Sequence, residues 1–258
     1  MGRRIVITSG KGGVGKTTIV ANLGLQLAAS GARVALVDAD IGLNNLDVAL
    51  GMEHKTVYDI GDIADGKCRL KQALIRDEHL HNLYLLPSAK VNGARVTTQI
   101  FSSIVNELAE GFEFVLIDCP AGIESGFHRA VIAAHEAITV TTPHISAVRD
   151  ADKVLSLLST YNIESVALAV NRVRGDLSVK GSMMGAEEIA HLLRVPLCAA
   201  LPEDDGISVF GIADYNKKDK TNRAYKLFAD YIVNGGGRVY NCERNYKGFF
   251  YKLKNRED

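Results

Sequence analysis

The chain has 258 residues, 47% of them hydrophobic and 23% charged, and a formal net charge of +0. That length suits one large α/β domain or two small ones, and the charge balance excludes a protein-wide field that gathers nucleic acid. No run is apolar enough to cross a bilayer and no signal-peptide core opens the chain. The scattered Cys68, Cys119, Cys198 and Cys242 lack C-x-x-C spacing, which argues against disulfide or metal use and for a reducing cytoplasm.

The first element is an apolar strand, Ile5–Thr8, followed by Gly10-Lys11-Gly12-Gly13-Val14-Gly15-Lys16-Thr17-Thr18 and a helical pattern over 17–30. Strand, glycine loop and helix in that order form the context of a phosphate-binding P-loop. The glycines let successive backbone N–H groups turn onto phosphate oxygens, at a helix start whose dipole favours anions. Lys16 is placed to reach the β- and γ-phosphates and the Thr17 hydroxyl to bind Mg²⁺, so ATP and Mg²⁺ are the expected cofactors. Lys11 is a second cation that an ordinary P-loop does not need. Beside Lys16 it costs Coulomb energy, which bound phosphate offsets whether it belongs to the same subunit or a facing one.

Further strand candidates lie at Val34–Asp38, Leu83–Pro87, Phe114–Asp118, Ala137–Thr141, Val166–Val170 and Leu197–Leu201. Helical patterns near 98–110, 146–160, 185–193 and 221–234 alternate with them. Several strands are apolar on both faces, as in a mostly parallel sheet covered on both sides. The expectation is a doubly wound α/β P-loop fold with ligands at the carboxyl ends of its strands.

Those strand ends carry the candidate chemistry. After Val37, Asp38 is expected near Mg²⁺ and Asp40 to orient the attacking water, while Asn45 is a candidate switch contact and Asp47 a loop cap. Phe114–Asp118 has the Walker B form, with Asp118 holding Mg²⁺ through water, and Gly122 in the next loop can approach a γ-phosphate. Ser146–Asp152 has good helix-start chemistry. Asn171-Arg172 and Pro202-Glu203-Asp204 occupy positions suited to the adenine base, since an Asn amide both donates and accepts. The histidines show no metal spacing.

The terminus changes character. Tyr246, Phe249, Phe250 and Leu253 fall at helical spacing, flanked by Lys247, Lys252 and Lys254, which describes an interfacial amphipathic helix on an anionic membrane. The expected division is a P-loop domain over 1–234, a flexible linker over 235–245 beginning with three glycines, and a membrane-targeting tail over 246–258. Two tails on a dimer would bind far better than one.

The Lys11–Thr17 pattern resembles the deviant Walker A group of P-loop ATPases. Asp38–Asp47, Ile117–Glu124, Ser146–Asp152, Asn171-Arg172, Pro202–Asp204 and the basic aromatic tail extend the likeness across nearly the whole chain to the septum-site-determining MinD family. Gln72–Ile75 and Asn82–Pro87 add to it. The resemblance implies an ATP-driven homodimer in which Lys11 crosses the interface to the partner's ATP. It also implies binding to the inner face of the cell membrane, a MinC-like division inhibitor as partner, and a MinE-like or other topological factor that stimulates turnover. Arg149 and Asp152 would lie near the partner-binding surface. One departure stands out: the family's usual Asn-x-Gly-Glu-Pro-type turn is replaced by Gly206–Asp214. Relatives that share the loop supply the rival expectations, a ParA-type DNA-partitioning ATPase and an FlhG-type flagellar-number regulator. No nucleic-acid partner is expected, because the clearest basic cluster sits among aromatics.

Overall fold

A computed structural model describes residues 1–42, 45–90, 96–213 and 215–247, with backbone alone at 208–210. β1 (Arg3–Thr8) leads through the glycine loop into α1 (Lys16–Ala29) and β2 (Val34–Asp38). The short helices α2 (Leu46–Ala49), α3 (Ile60–Ala64) and α4 (Leu70–Ala73) then precede the small edge strand β3 (Ile75–Arg76) and β4 (Leu83–Leu86). Next come α5 (Thr98–Gly111), β5 (Phe114–Asp118), α6 (Ser125–Ile132), β6 (Glu136–Thr141), α7 (Ile145–Leu158) and β7 (Ser165–Val173). The chain continues with α8 (Gly175–Val179), α9 (Ala186–Leu193), β8 (Leu197–Pro202), α10 (Asp205–Phe210) and α11 (Lys220–Asn234).

All seven expected strands and all five expected helices are present. The eight strands form one sheet in the order β3-β4-β2-β5-β1-β6-β7-β8, parallel throughout except for β3. Alternation along each central strand divides two cores. Ile5 and Ile7 of β1 and Leu116 of β5 pack beneath α1 and α11, while Val6, Val115 and Ile117 pack beneath α5 and α6. This two-sided burial is why those strands read as continuous apolar runs. Register then positions the site. Asp38 at the end of β2 lies directly beside Asp118 at the end of β5, and Asp118 beside Ile7, one residue before the end of β1.

α10 opens the stretch where the resemblance leads one to expect a different turn. Asp204 caps that helix by accepting from the N–H groups of Gly206 and Ile207. Asn22 of α1 holds its far end, donating to the Gly211 carbonyl and accepting from Ala213 N–H.

α11 is capped at its start by Asp219 and at its end by Gly235 in the left-handed conformation. The stretch 235–245, expected as a linker, runs back along the domain. Val239 and Cys242 pack beside the β7–α9 core, and Glu243 accepts from the Ser178 hydroxyl and pairs with Lys247. Phe249, Phe250, Lys252, Leu253 and Lys254 of the expected tail lie outside the described residues.

Candidate active site

The site is built around the N-terminus of α1. Gly15 precedes the helix at φ +95°, a left-handed conformation that favours glycine, and a Cβ there would fall 2.5 Å from Asn171 Nδ2. The first turn of α1 carries Lys16 and no acidic residue. An acid is the ordinary stabilising choice at a helix start, and its absence leaves the backbone N–H groups and the dipole to an external anion. Lys16 is buried, whereas Lys11 is exposed. Gly10, Gly12, Gly13 and Val14 lie in the loop between β1 and α1, and Thr17 and Thr18 in the first turn of α1.

Asp118 is fully enclosed. Thr17 lies beside its carboxylate, and Asp118 Oδ1 is buried with no hydrogen-bond partner among the described residues. Burial pushes this carboxyl up to about 6 against the pull of Thr17 and Lys16. An anionic oxygen without a partner next to a hydroxyl suits a hard divalent cation, so Thr17 and Asp118 fit Mg²⁺. Asp38 is pushed up to about 7 by burial and by the charge of Asp118. Both of its oxygens are engaged by backbone: Oδ1 accepts from Asp40 N–H, and Oδ2 from Asn45 and Leu46 N–H. Asp38 thus organises the loop that carries Asp40. The Asp40 carboxyl is half-buried, and its pKa is raised by burial and lowered by the charge of Lys16. Gly122 has φ +87°, and its N–H donates to the Ser9 carbonyl, tying the Walker B loop to the phosphate loop.

The expected base-side residues converge. Asn171, Arg172, Pro202, Glu203 and Asp204 line one cavity of about 330 Å³ with Gly15 and Thr18. Asn171 donates to the Val14 carbonyl and accepts from Arg172 N–H. One amide hydrogen and one lone pair remain for a base. Sequence reasoning missed Thr221 and Tyr225 of α11 and Val48 and Ala49 of α2, which line the same cavity. The Thr221 hydroxyl donates to Asp204 and Lys220 Nζ to the Glu203 carbonyl, which ties α11 to this place, and spacing carries no signal of it. Asp204 serves as cap and tether more than as an open ligand.

Away from the phosphates, Ile145, Arg149 and Asp152 are exposed at i, i+4 and i+7 of α7, on one stripe. Among the described residues no His/Cys/Asp/Glu group has metal-site geometry. Cys119 beside Asp118 is buried, and its thiol is pushed up to about 12, so it is an inert filler.

Fold and site together define a P-loop ATPase whose phosphate loop carries a second lysine. Comparison with known proteins agrees, for residues 5–210 match the CobQ/CobB/MinD/ParA nucleotide binding domain family. The septum site-determining protein MinD of Bacillus subtilis is 43% identical over 263 residues, covering 98% of this chain and 97% of that one. Among solved structures, MinD in the MinC:MinD cell division protein complex of Aquifex aeolicus superposes with a TM-score of 0.85 at 36% identity, over 93% of this chain and 98% of that one. The MinD of Pyrococcus horikoshii complexed with Mg-ADP gives 0.80 at 31% identity, over 90% of this chain and 96% of that one. The chain belongs to the septum-site-determining MinD family of ATPases, with ATP and Mg²⁺ as cofactors.

Proposed function

We propose that this ATPase is a nucleotide-switched homodimer that positions the division site from the inner face of the cell membrane. The observation that carries the reading is the contrast between its two loop lysines: Lys16 is buried, and Lys11 is exposed. An exposed cation beside a phosphate site is suited to the triphosphate of a facing copy, as an arginine finger is. Dimer closure then follows ATP binding and is lost on hydrolysis.

Lys16, the loop amides and Lys11 bind and neutralise the triphosphate. Thr17 and Asp118 would hold Mg²⁺, which would supply positive charge to offset the charge developing on the phosphates. Asp38 fixes the loop, and Asp40 orients a water for attack. Gly122, bonded to Ser9, links the Walker B loop to the state of the phosphate loop. The cavity at Asn171, Arg172 and Glu203 receives the base.

The stripe of Ile145, Arg149 and Asp152 offers an apolar and charged surface to a MinC-like division inhibitor, a partner type supported by the Aquifex aeolicus complex. A MinE-like factor would raise turnover from a surface that includes Asn45, which is exposed at the start of α2. The terminal 246–258 segment, with Phe249, Phe250 and Leu253 among lysines, is the membrane anchor, and two anchors per dimer convert ATP binding into membrane residence.

Sedimentation with anionic vesicles tests the reading. The ATP-bound chain should pellet, while the ADP-bound chain and a full-length Phe249→Glu/Phe250→Glu variant should stay in solution. Equal pelleting of all three would remove the switch.

A further inference from the structure

A hollow of about 680 Å³ lies between the 215–219 loop, the first turns of α11 and the returning segment at Tyr240 and Asn245. Its lining carries five cations, Lys217, Lys218, Lys220, Arg223 and Lys226, and a single carboxylate, Asp219. The whole chain has a formal net charge of +0, so this surface is a local concentration of positive charge. Asp219 does little to offset it. One of its oxygens accepts from Asn222 N–H as the helix cap, and the other lies 3.7 Å from Lys217. Lys220 donates to the Glu203 carbonyl. Lys218, Arg223 and Lys226 are exposed and enter no salt bridge among the described residues. Half-buried Tyr215 and Tyr240 stand among the lysines.

Position narrows the occupant. Asn245, in the wall of the hollow, stands four residues before Phe249, where the expected membrane tail begins its apolar face. Nucleic-acid phosphates would satisfy the charge, but nothing in the fold ties them to this place. We propose that the hollow is a second membrane contact, which binds the anionic headgroups of the bilayer that receives the tail. The inference rests on the membrane reading above and adds to it a surface of the folded domain. The tail supplies apolar insertion, and the hollow supplies attraction to acidic lipid and a fixed orientation of the domain. Clustered lysines with interfacial tyrosines are suited to that role.

The test uses the full chain with ATP and vesicles of equal parts phosphatidylethanolamine and phosphatidylglycerol, against vesicles of phosphatidylcholine alone and a duplex DNA. Lys218→Gln/Arg223→Gln/Lys226→Gln should lower affinity for the anionic vesicles by roughly 10- to 100-fold and flatten its dependence on salt. Its ATP turnover without vesicles and its weak binding to phosphatidylcholine should match the parent. The single variants Lys218→Gln and Arg223→Gln should each lose about three- to tenfold, which keeps the result readable if the triple variant folds poorly. A triple variant with unchanged affinity and salt dependence overturns the proposal and leaves the tail reading intact. So does a loss confined to DNA retention. A parent chain that binds neither vesicle overturns both.

Discussion

Gly10 of the phosphate loop is seated against the backbone of Asp150 in α7: a Cβ on Gly10 would come within 2.2 Å of the Asp150 carbonyl oxygen. The same helix exposes Ile145, Arg149 and Asp152. A partner pressing on that stripe and a nucleotide filling the loop are therefore separated by one backbone contact. Packed interiors transmit such displacements, because there is no slack to absorb them.

Gly10→Ala follows directly. The methyl group has no space, and its neighbour is backbone that cannot rotate away, so either the loop or the start of α7 must shift. Overpacking of this kind costs about 1–3 kcal/mol. The variant should lose that much stability in chemical denaturation and bind ATP more weakly. A variant with unaltered stability and ATP affinity would show that the loop and α7 are not coupled here.

Asp38 and Asp118 make the metal-free protein sensitive to pH. Their folded pKa values, about 7 and about 6, lie above the ordinary 3.8, so the folded chain holds protons more tightly than the unfolded one. The stability they contribute is full below about pH 4 and is lost as pH rises through about 6 and about 7. Without Mg²⁺ and nucleotide, stability should therefore decline across that window, and adding both should flatten the decline. Asp118→Asn should stabilise the metal-free chain by about 1–3 kcal/mol at pH 8, because a buried charge is removed, while Mg²⁺-dependent turnover disappears. Denaturation curves at pH 5 and pH 8 check both parts. A less stable Asp118→Asn chain at pH 8 would mean that the carboxylate is needed to hold Thr17.

Much of this was legible from residues alone, for physical reasons. Strands buried on both faces leave unbroken apolar runs, and glycine loops that cradle phosphate have few sequence solutions, so the sheet and Gly10–Thr18 could be read directly. The short helices α2, α3, α4, α8 and α10 could not, because four to six residues complete too few turns to show a period. Thr221 and Tyr225 reach the base cavity only because α11 folds back beside β8, a long-range fact with no local trace. The packing of Val239 and Cys242 was hidden for the same reason: three glycines in a row read as a joint, whatever follows them.

Asn22 joins α1 to the segment that follows α10. Its amide donates to the Thr18 and Gly211 carbonyls, and its oxygen accepts from Ala213 N–H. Asn22→Ala leaves Gly211 and Ala213 without these partners and should cost about 2–3 kcal/mol. Ile207 and Gly211 line the base cavity, so nucleotide affinity should fall while turnover at saturating ATP changes little. Isothermal titration beside a saturation curve separates the two. A fall in maximal turnover with unchanged affinity would place the effect on the phosphate side instead.

Asp40 is the sharpest test of the chemistry. It follows β2 on a loop held by Asp38, and its N–H donates to Asp38 Oδ1 at 2.9 Å, so its carboxylate can be removed while the loop's other anchors at Asn45 and Leu46 stay. The carboxyl is half-buried, with its pKa raised by burial, and it feels the charge of Lys16. A carboxylate in that position is suited to orienting and activating a water beside a phosphate. Asp40→Ala should keep ATP affinity and ATP-dependent dimerisation, measured by fluorescent-nucleotide titration and analytical ultracentrifugation. Turnover should fall by roughly 10²- to 10⁴-fold, the usual worth of general-base catalysis. Asp40→Asn divides the role further: it keeps a hydrogen-bond acceptor and removes the charge. If it turns over like the parent, orienting the water is enough; if it matches Asp40→Ala, the charge is what the water needs. Loss of ATP binding in Asp40→Ala would mean that Asp40 acts in binding through Lys16, and the attacking water would have to be held by another group.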